Sequence, residues 1–202
     1  MPTNDRGVKP LLQPARPHLA VPLARDHYCP LMPFISGRGH AALRSGRWSS
    51  IGAEYFLTVC TADRKPGLAD SGRPKTLISH AESLGREGIW QLRTAVVMPD
   101  HLHLLVVLQA SEGLAAAMRL YKGRLAVDLR GSGLRWEKGY FDHRLRPRED
   151  CLPVFLYIFL NPYRAGLVVP GQKWPGYYCA GEDWEWFQSL TDSGTPFPEW
   201  LR

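Results

Sequence analysis

Apolar side chains recur along this chain with two periods, and the switches between them divide it into elements. In EYFLTVCT, aromatic and β-branched residues predict a strand over Glu54–Thr61. The Gly and Pro residues of ADRKPGLADSGRP end it. The spacing of Leu77, Ala81 and Leu84 predicts a helix over Lys75–Gly88, with Gly88 as its stop. Strands over Gln91–Met98 and His101–Leu108 follow, close enough across the MPD turn to form an antiparallel hairpin. Leu114, Ala117, Met118, Tyr121, Leu125 and Leu129 then make one apolar stripe on a helix over Gly113–Arg130. A strand over Trp136–Arg146 and a helix over Glu149–Leu160 complete the pattern; Pro153 is tolerated in that helix's first turn. The order β-α-β-β-α-β predicts an α+β, ferredoxin-like fold. It is expected to have a four-stranded antiparallel sheet, helices mainly on one face and an extra C-terminal helix.

Composition adds boundaries. Of 202 residues, 45% are hydrophobic and 22% charged, which is globular and excludes collagen, coiled coil and a wholly disordered chain. Seven prolines in residues 1–42, which resist both helix and central strand, predict a disordered leader. Residues 43–170 are the expected domain, and an aromatic, acidic tail occupies 171–202. Residues 1–52 hold seven basic side chains against two acidic, and residues 171–202 two against five, within a net charge of +6. A basic leader suits a polyanionic partner, although the same charge also serves solubility. Apolar runs are too short for a membrane helix. The widely spaced Cys29, Cys60, Cys151 and Cys179 read as free thiols of a cytoplasmic protein.

Two motifs carry candidate chemistry. In VVMPDHLHLLVVL, His101 and His103 are two apart on a strand, so both imidazoles share one face. That is half of a divalent metal site, although on spacing alone the commoner case is two chance histidines, one capping the turn after Pro99 and one half-buried. In LPVFLYIFLNPYRAGLV, the expected core stripe is Leu152, Phe155, Leu156, Phe159 and Leu160. Tyr157 falls well away from it, with Asn161 one turn later on the same side and Pro162 expected to end or kink the helix. The two motifs combine in one chemistry. A tyrosine oxygen can attack a phosphodiester, and a hard cation such as Mg²⁺ or Mn²⁺, held by two His and one Asn oxygen, can neutralise the developing charge.

Taken in order, GRWSSIGAEYFLTVCTADRKP, VVMPDHLHLLV, RLYKGRLA, WEKGYFDHRLR and LYIFLNPYRAGLV resemble the REP-associated tyrosine transposases, within the single-tyrosine HUH group, over about residues 44–170. The resemblance implies an HUH endonuclease-like fold and a DNA transposase that cleaves and joins single-stranded or hairpin DNA, working as a monomer or a homodimer. It implies that Tyr157 is the nucleophile, leaving a 5′-phosphotyrosine, that His101 and His103 bind the metal, and that Asn161 is the third ligand. Asp100 and His143 match family positions in supporting roles. Phe159 stands where the family often has His, and Tyr163 where it often has Val. Arg119, Lys122, Arg124 and Lys138 are candidates for DNA backbone contacts, as are Arg44 and Arg47 at the domain's start. Two rivals are a non-catalytic single-stranded nucleic-acid binding module and an HUH replication initiator or relaxase.

Overall fold

The computed structural model describes residues 50–147 and 149–188. The expected leader, Arg44, Arg47 and residues 189–202 lie outside these. The elements are β1 (Glu54–Cys60), α1 (Arg73–Arg86), β2 (Trp90–Val97), β3 (His101–Leu108), α2 (Gly113–Gly131), β4 (Phe141–Arg144), α3 (Leu152–Arg164), β5 (Tyr177–Cys179) and α4 (Gly181–Gln188). No described helix is long and apolar enough to cross a membrane.

All strand pairs are antiparallel, in the order β4-β1-β3-β2-β5. The first four form the expected ferredoxin-like sheet. One face of that sheet presents Tyr55, Leu57 and Val59 of β1 and Leu102, Leu104, Val106 and Leu108 of β3. Onto it pack Leu77, Ala81 and Leu84 of α1 and the α2 stripe Leu114, Ala117, Met118, Tyr121, Leu125 and Leu129. These are the residues that helical spacing selected. Polar atoms drawn into this layer find partners: Trp90 Nε1 donates to the Ala81 carbonyl at 2.8 Å and the Tyr121 hydroxyl to the Leu77 carbonyl at 3.1 Å.

β2 carries a bulge between Leu92 and Thr94. An extra residue shifts the period-two alternation, so Trp90 and Leu92 face the α1–α2 layer before the bulge, and Ala95 and Val97 after it. Arg93, at the bulge, donates to Glu54 of β1 at 2.5 Å and to Asp183 of α4 at 2.5 and 3.0 Å. Its guanidinium also lies 4.9 Å from the centre of the Phe155 ring of α3. One side chain thereby ties β1, β2, α3 and α4. Burial opposes its charge, but the bonds to Asp183 and Glu54 more than offset this and raise its pKa further.

The structure departs from the expected elements in four places. The sheet has a fifth strand, because the tail does not end the fold at residue 170. β5 pairs with β2 from Thr94 to Val96, and Trp174 Nε1 donates to the Val97 carbonyl at 2.8 Å. Gly176 permits this approach, since a Cβ there would lie 2.8 Å from both Val97 O and Trp174 Nε1. β4 is shorter than Trp136–Arg146: only an isolated bridge joins Trp136 to Thr61, and Lys122 draws the next loop towards α2 through the carbonyls of Glu137 and Gly139. α3 continues through Pro162 to Arg164, because proline's fixed φ is itself helical and one missing bond near a C-terminus is affordable. Its buried face is also rotated. Val154, Phe155, Ile158, Phe159, Leu160, Asn161 and Pro162 are buried, whereas Leu152 and Leu156 are half-buried. The period located a helix, but its partner, a sheet already covered on the other face, decided which side turned inward.

Arg93→Ala is expected to lower the unfolding free energy by about 3 kcal/mol, because it strands two poorly exposed carboxylates. Urea denaturation measures this, and a change under about 0.5 kcal/mol, the range of an ordinary surface substitution, would show that the cluster contributes nothing.

Candidate active site

The sheet face opposite α1 and α2 carries the other half of the alternation: Phe56, Thr58 and Cys60 of β1, His101 and His103 of β3, and Val96 of β2. Register places Thr58 directly across from His103, Cys60 from His101, and Val96 from His103 on its other side. Both histidines are 4% exposed. Their Nε2 atoms face each other at 3.2 Å. Each Nδ1 has its own partner, Asp100 Oδ1 at 2.6 Å for His101 and Thr58 Oγ1 at 2.9 Å for His103. A carboxylate accepts only, so His101 carries its proton on Nδ1 and turns an Nε2 lone pair towards His103. Phe56 stacks beneath His103 at 5.2 Å and holds that ring's tilt.

α3 crosses this face. The Tyr157 ring stands edge-on to His103 at 5.1 Å and to Phe56 at 5.7 Å. Tyr157 is therefore at the border of the helix's packed side. Asn161, buried one turn later, belongs to that packed side as well. Arg164 places its guanidinium 5.8 Å from the Tyr157 ring centre. His143 of β4 lies across from Phe56, on the same sheet face, and pairs with Glu149 Oε1 at 2.9 Å.

Sequence reasoning missed Arg64. A 3₁₀ turn (Ala62–Arg64) follows β1, and in it Asp63 (φ 58°) and Arg64 (φ 53°) are the only described non-glycine residues at positive φ. Thr61 fixes the turn by donating its hydroxyl towards the carbonyls of Lys65 and Asp100, at 2.8 and 2.9 Å. The reversal brings Arg64 Nε to 3.0 Å from Asp100 Oδ2 and its terminal nitrogen to 2.8 Å from Cys60 Sγ. Asp63 is of a type that tolerates the left-handed region, but Arg64 after it is not, and no glycine marks the reversal that carries Arg64 to the site. Burial pushes the Asp100 carboxyl up, but the hydrogen bond from His101 and the charge of Arg64 outweigh it, leaving the pKa below its ordinary 3.8. Cys60 goes the other way: burial raises its thiol despite Arg64, so it is no ready nucleophile.

The cationic candidates are scattered. Arg119, Lys122 and Arg124 sit on α2, the helix packed on the opposite face from the histidines. Lys122 is engaged by two backbone carbonyls, and Arg124 is paired through both terminal nitrogens with Glu87 at 2.5 and 2.7 Å. Arg119 and Lys138 are exposed. Among the described residues no three His, Cys, Asp or Glu side chains gather as a metal cage. Any cation here would take its further ligands from other groups.

Residues 49–144 match the family model described as IS200-like transposase. The chain is 24% identical over 128 residues to the REP-associated tyrosine transposase of Escherichia coli (strain K12), covering 61% of this chain and 74% of that protein. The structure of a REP-associated tyrosine transposase bound to a REP hairpin superposes with a TM-score of 0.51 at 23% identity, over 60% of this chain and 73% of that one. A protein named as a putative transposase from Deinococcus radiodurans R1 gives 0.42 at 20% identity, over 61% of this chain and 94% of that one. The family model points to IS200-like transposases, and the likeness to REP-associated tyrosine transposases is found in a sequence relative and, for the fold, in a solved structure. The span of the family model contains the histidine pair and stops before α3, so it does not reach Tyr157 or Asn161.

Two measurements check the local physics. Asp63→Gly should stabilise the protein by roughly 0.5 kcal/mol, because glycine removes left-handed strain worth about 1 kcal/mol at some entropic cost; Asp63→Ala should give no such gain in thermal melts. A carboxyl depressed in the folded state stabilises above its unfolded pKa and loses that contribution as pH falls through the folded value. Asp100→Asn should therefore lower the melting temperature at pH 7, and the gap should narrow below pH about 4.

Proposed function

We propose that this chain is a DNA transposase of the single-tyrosine kind, which cleaves and rejoins single-stranded or hairpin DNA through Tyr157. The observation that carries the reading is the convergence of the two Nε2 atoms at 3.2 Å, with the Tyr157 ring against the same His103. Two nitrogens each about 2.1 Å from one ion stand roughly 3.0–3.4 Å apart, so the pair fits a divalent cation such as Mg²⁺ or Mn²⁺. Asp100 and Thr58 hold the rings from behind, the arrangement that orients metal-binding histidines. Asn161 Oδ1 would supply a neutral oxygen, and when bound the cation would polarise the scissile phosphate.

The chain's own residues do the rest. Tyr157 Oη forms a bond to phosphorus as the 3′ oxygen of the preceding nucleotide leaves with a proton, giving a 5′-phosphotyrosine and a free 3′-hydroxyl. Attack by another 3′-hydroxyl reverses the step and joins strands without external energy. Arg164 brings positive charge beside the phosphate as negative charge accumulates. Phe56 and His103 limit the tilt of the Tyr157 ring, which keeps the attack in line. A DNA partner is supported by the fold likeness to a relative bound to a REP hairpin.

Labelled single-stranded DNA with Mn²⁺ should give a covalent protein–DNA adduct on a denaturing gel. Tyr157→Phe should abolish it while the melting temperature stays near that of the natural chain. Persistence of the adduct in that variant would remove Tyr157 as the nucleophile. His101→Ala and His103→Ala should each suppress the adduct at least about a hundredfold, as EDTA should, whereas Asn161→Ala costs less because water can replace one neutral ligand. Cleavage indifferent to EDTA would overturn the metal assignment.

A further inference from the structure

A guanidinium stands at each end of the histidine face. On β1, Phe56, Thr58 and Cys60 all point to this face, and strand spacing puts Phe56 and Cys60 about 13 Å apart. The Tyr157 ring lies against Phe56, with the Arg164 guanidinium 5.8 Å from its centre. At the other end, Arg64 donates a terminal N–H to Cys60 Sγ at 2.8 Å and sets its Nε 3.0 Å from Asp100 Oδ2. Thr58 is across from His103 and Cys60 across from His101, so the imidazole pair lies between the two ends.

The fold itself does not require Arg64 at this place. Asp100 is already fixed through its main chain, whose carbonyl accepts from Thr61 N and Thr61 Oγ1, both at 2.9 Å, and its Oδ1 meets His101. Arg64 nevertheless takes a left-handed backbone (φ 53°), which a residue with a Cβ adopts only under strain, and its side chain stays 49% exposed. Its two contacts use Nε and one terminal nitrogen. The other terminal nitrogen has no partner among the described residues. A guanidinium held along one edge and open on the other presents oriented N–H donors to an anionic ligand.

In-line displacement decides what that ligand is. The attacking and leaving oxygens lie on opposite sides of the phosphorus. With Tyr157 at the Phe56 end, the departing 3′ oxygen points to the Cys60 end. We infer that Arg64 is a further catalytic residue, whose open edge donates a hydrogen bond to the 3′ oxygen of the leaving strand. The inference rests on the strand-transferase reading above. The bond from Tyr157 Oη to phosphorus forms as the bond from phosphorus to the 3′ oxygen breaks, and the electron pair stays on the 3′ oxygen. The phenol proton passes to water, and the 3′ oxygen takes its proton from water. Arg64 keeps its own protons, since a guanidinium is not deprotonated in a protein, and stabilises the charge while it grows. Joining runs the same path backwards, so the same donor meets the incoming 3′ oxygen.

A change of leaving atom tests it. The oligonucleotide that the natural chain cleaves most from a randomised single-stranded pool is made in two forms, with oxygen or with sulfur at the 3′ position of the junction. A thiolate leaves readily without a donor, so sulfur removes the need for Arg64. Rates of adduct formation with Mn²⁺ are compared for the natural chain and for Arg64→Gly, a substitution that keeps the left-handed turn without strain. On the oxygen substrate the variant should be about a hundredfold slower, the usual effect of losing one such donor, and on the sulfur substrate the two chains should agree within about threefold. Mn²⁺ binding, followed by the free-ion EPR signal, should be unchanged, because both histidines and Asp100 remain. Arg64→Lys keeps a cation but not the fork, and should be about tenfold slower on oxygen only, which gives the same comparison should the glycine variant melt early. An equal loss on both substrates, a loss on neither, or weakened Mn²⁺ binding overturns the assignment, the last by showing that Arg64 acts through Asp100 and His101. No adduct from the natural chain overturns the strand-transferase reading and this inference with it.

Discussion

A slip of one residue between β1 and β3 would turn His101 and His103 into the α1–α2 core and bring Leu102 and Leu104 out to α3. Strand side chains alternate with period two, so nothing short of that one register makes the site. The register is secured from both sides. Tyr55, Leu57 and Val59 fill the helix layer, and a slip would expose them. On the other face, Thr58 meets His103 and Phe56 stacks on it. Hydrophobic burial on one face thus holds polar chemistry in place on the other.

The second layer depends on Arg93. A bulge normally marks the end of pairing or a local bend, and here it also supplies a cation between two faces of the fold. Glu54 and Asp183 bond it from β1 and α4, and Phe155 lies against it from α3. The aromatic tail completes the arrangement: Phe187 packs at 5.6 Å from Phe155 and 5.7 Å from Phe159, and Tyr177 at 4.9 Å from Phe159. The helix bearing Tyr157 is thereby clamped between sheet and tail. The placement of Tyr157 is a consequence of packing far from the phenol itself.

Electrostatics around the pair is built in the same indirect way. Asp100 stays ionised because His101 and Arg64 both answer it, and Arg64 reaches it only through a strained turn. Strain of that sort persists where the surroundings over-determine the backbone, and Thr61 with its two carbonyl contacts does so here. Lys122 and Arg124, by contrast, spend their charge on intramolecular partners, which separates a basic composition from a basic binding surface.

Local periodicity by itself determined the α+β class, the hairpin of β2 and β3, and the α1 and α2 stripes residue by residue, because both helices bury a face against one partner. It also put His101 and His103 on a common face, since period two leaves no choice. The run of α3 through Pro162, its rotated buried face, the fifth strand and the helix of the tail were decided only by tertiary contacts. Each depends on a surface supplied from elsewhere in the chain: the second face of the sheet, the open edge of β2, and the Arg93 charge. Arg64 is the clearest case. No local pattern distinguishes it from any exposed arginine, and it joins the site only because Thr61 and Asp100, thirty-nine residues apart, are hydrogen-bonded across the end of the sheet.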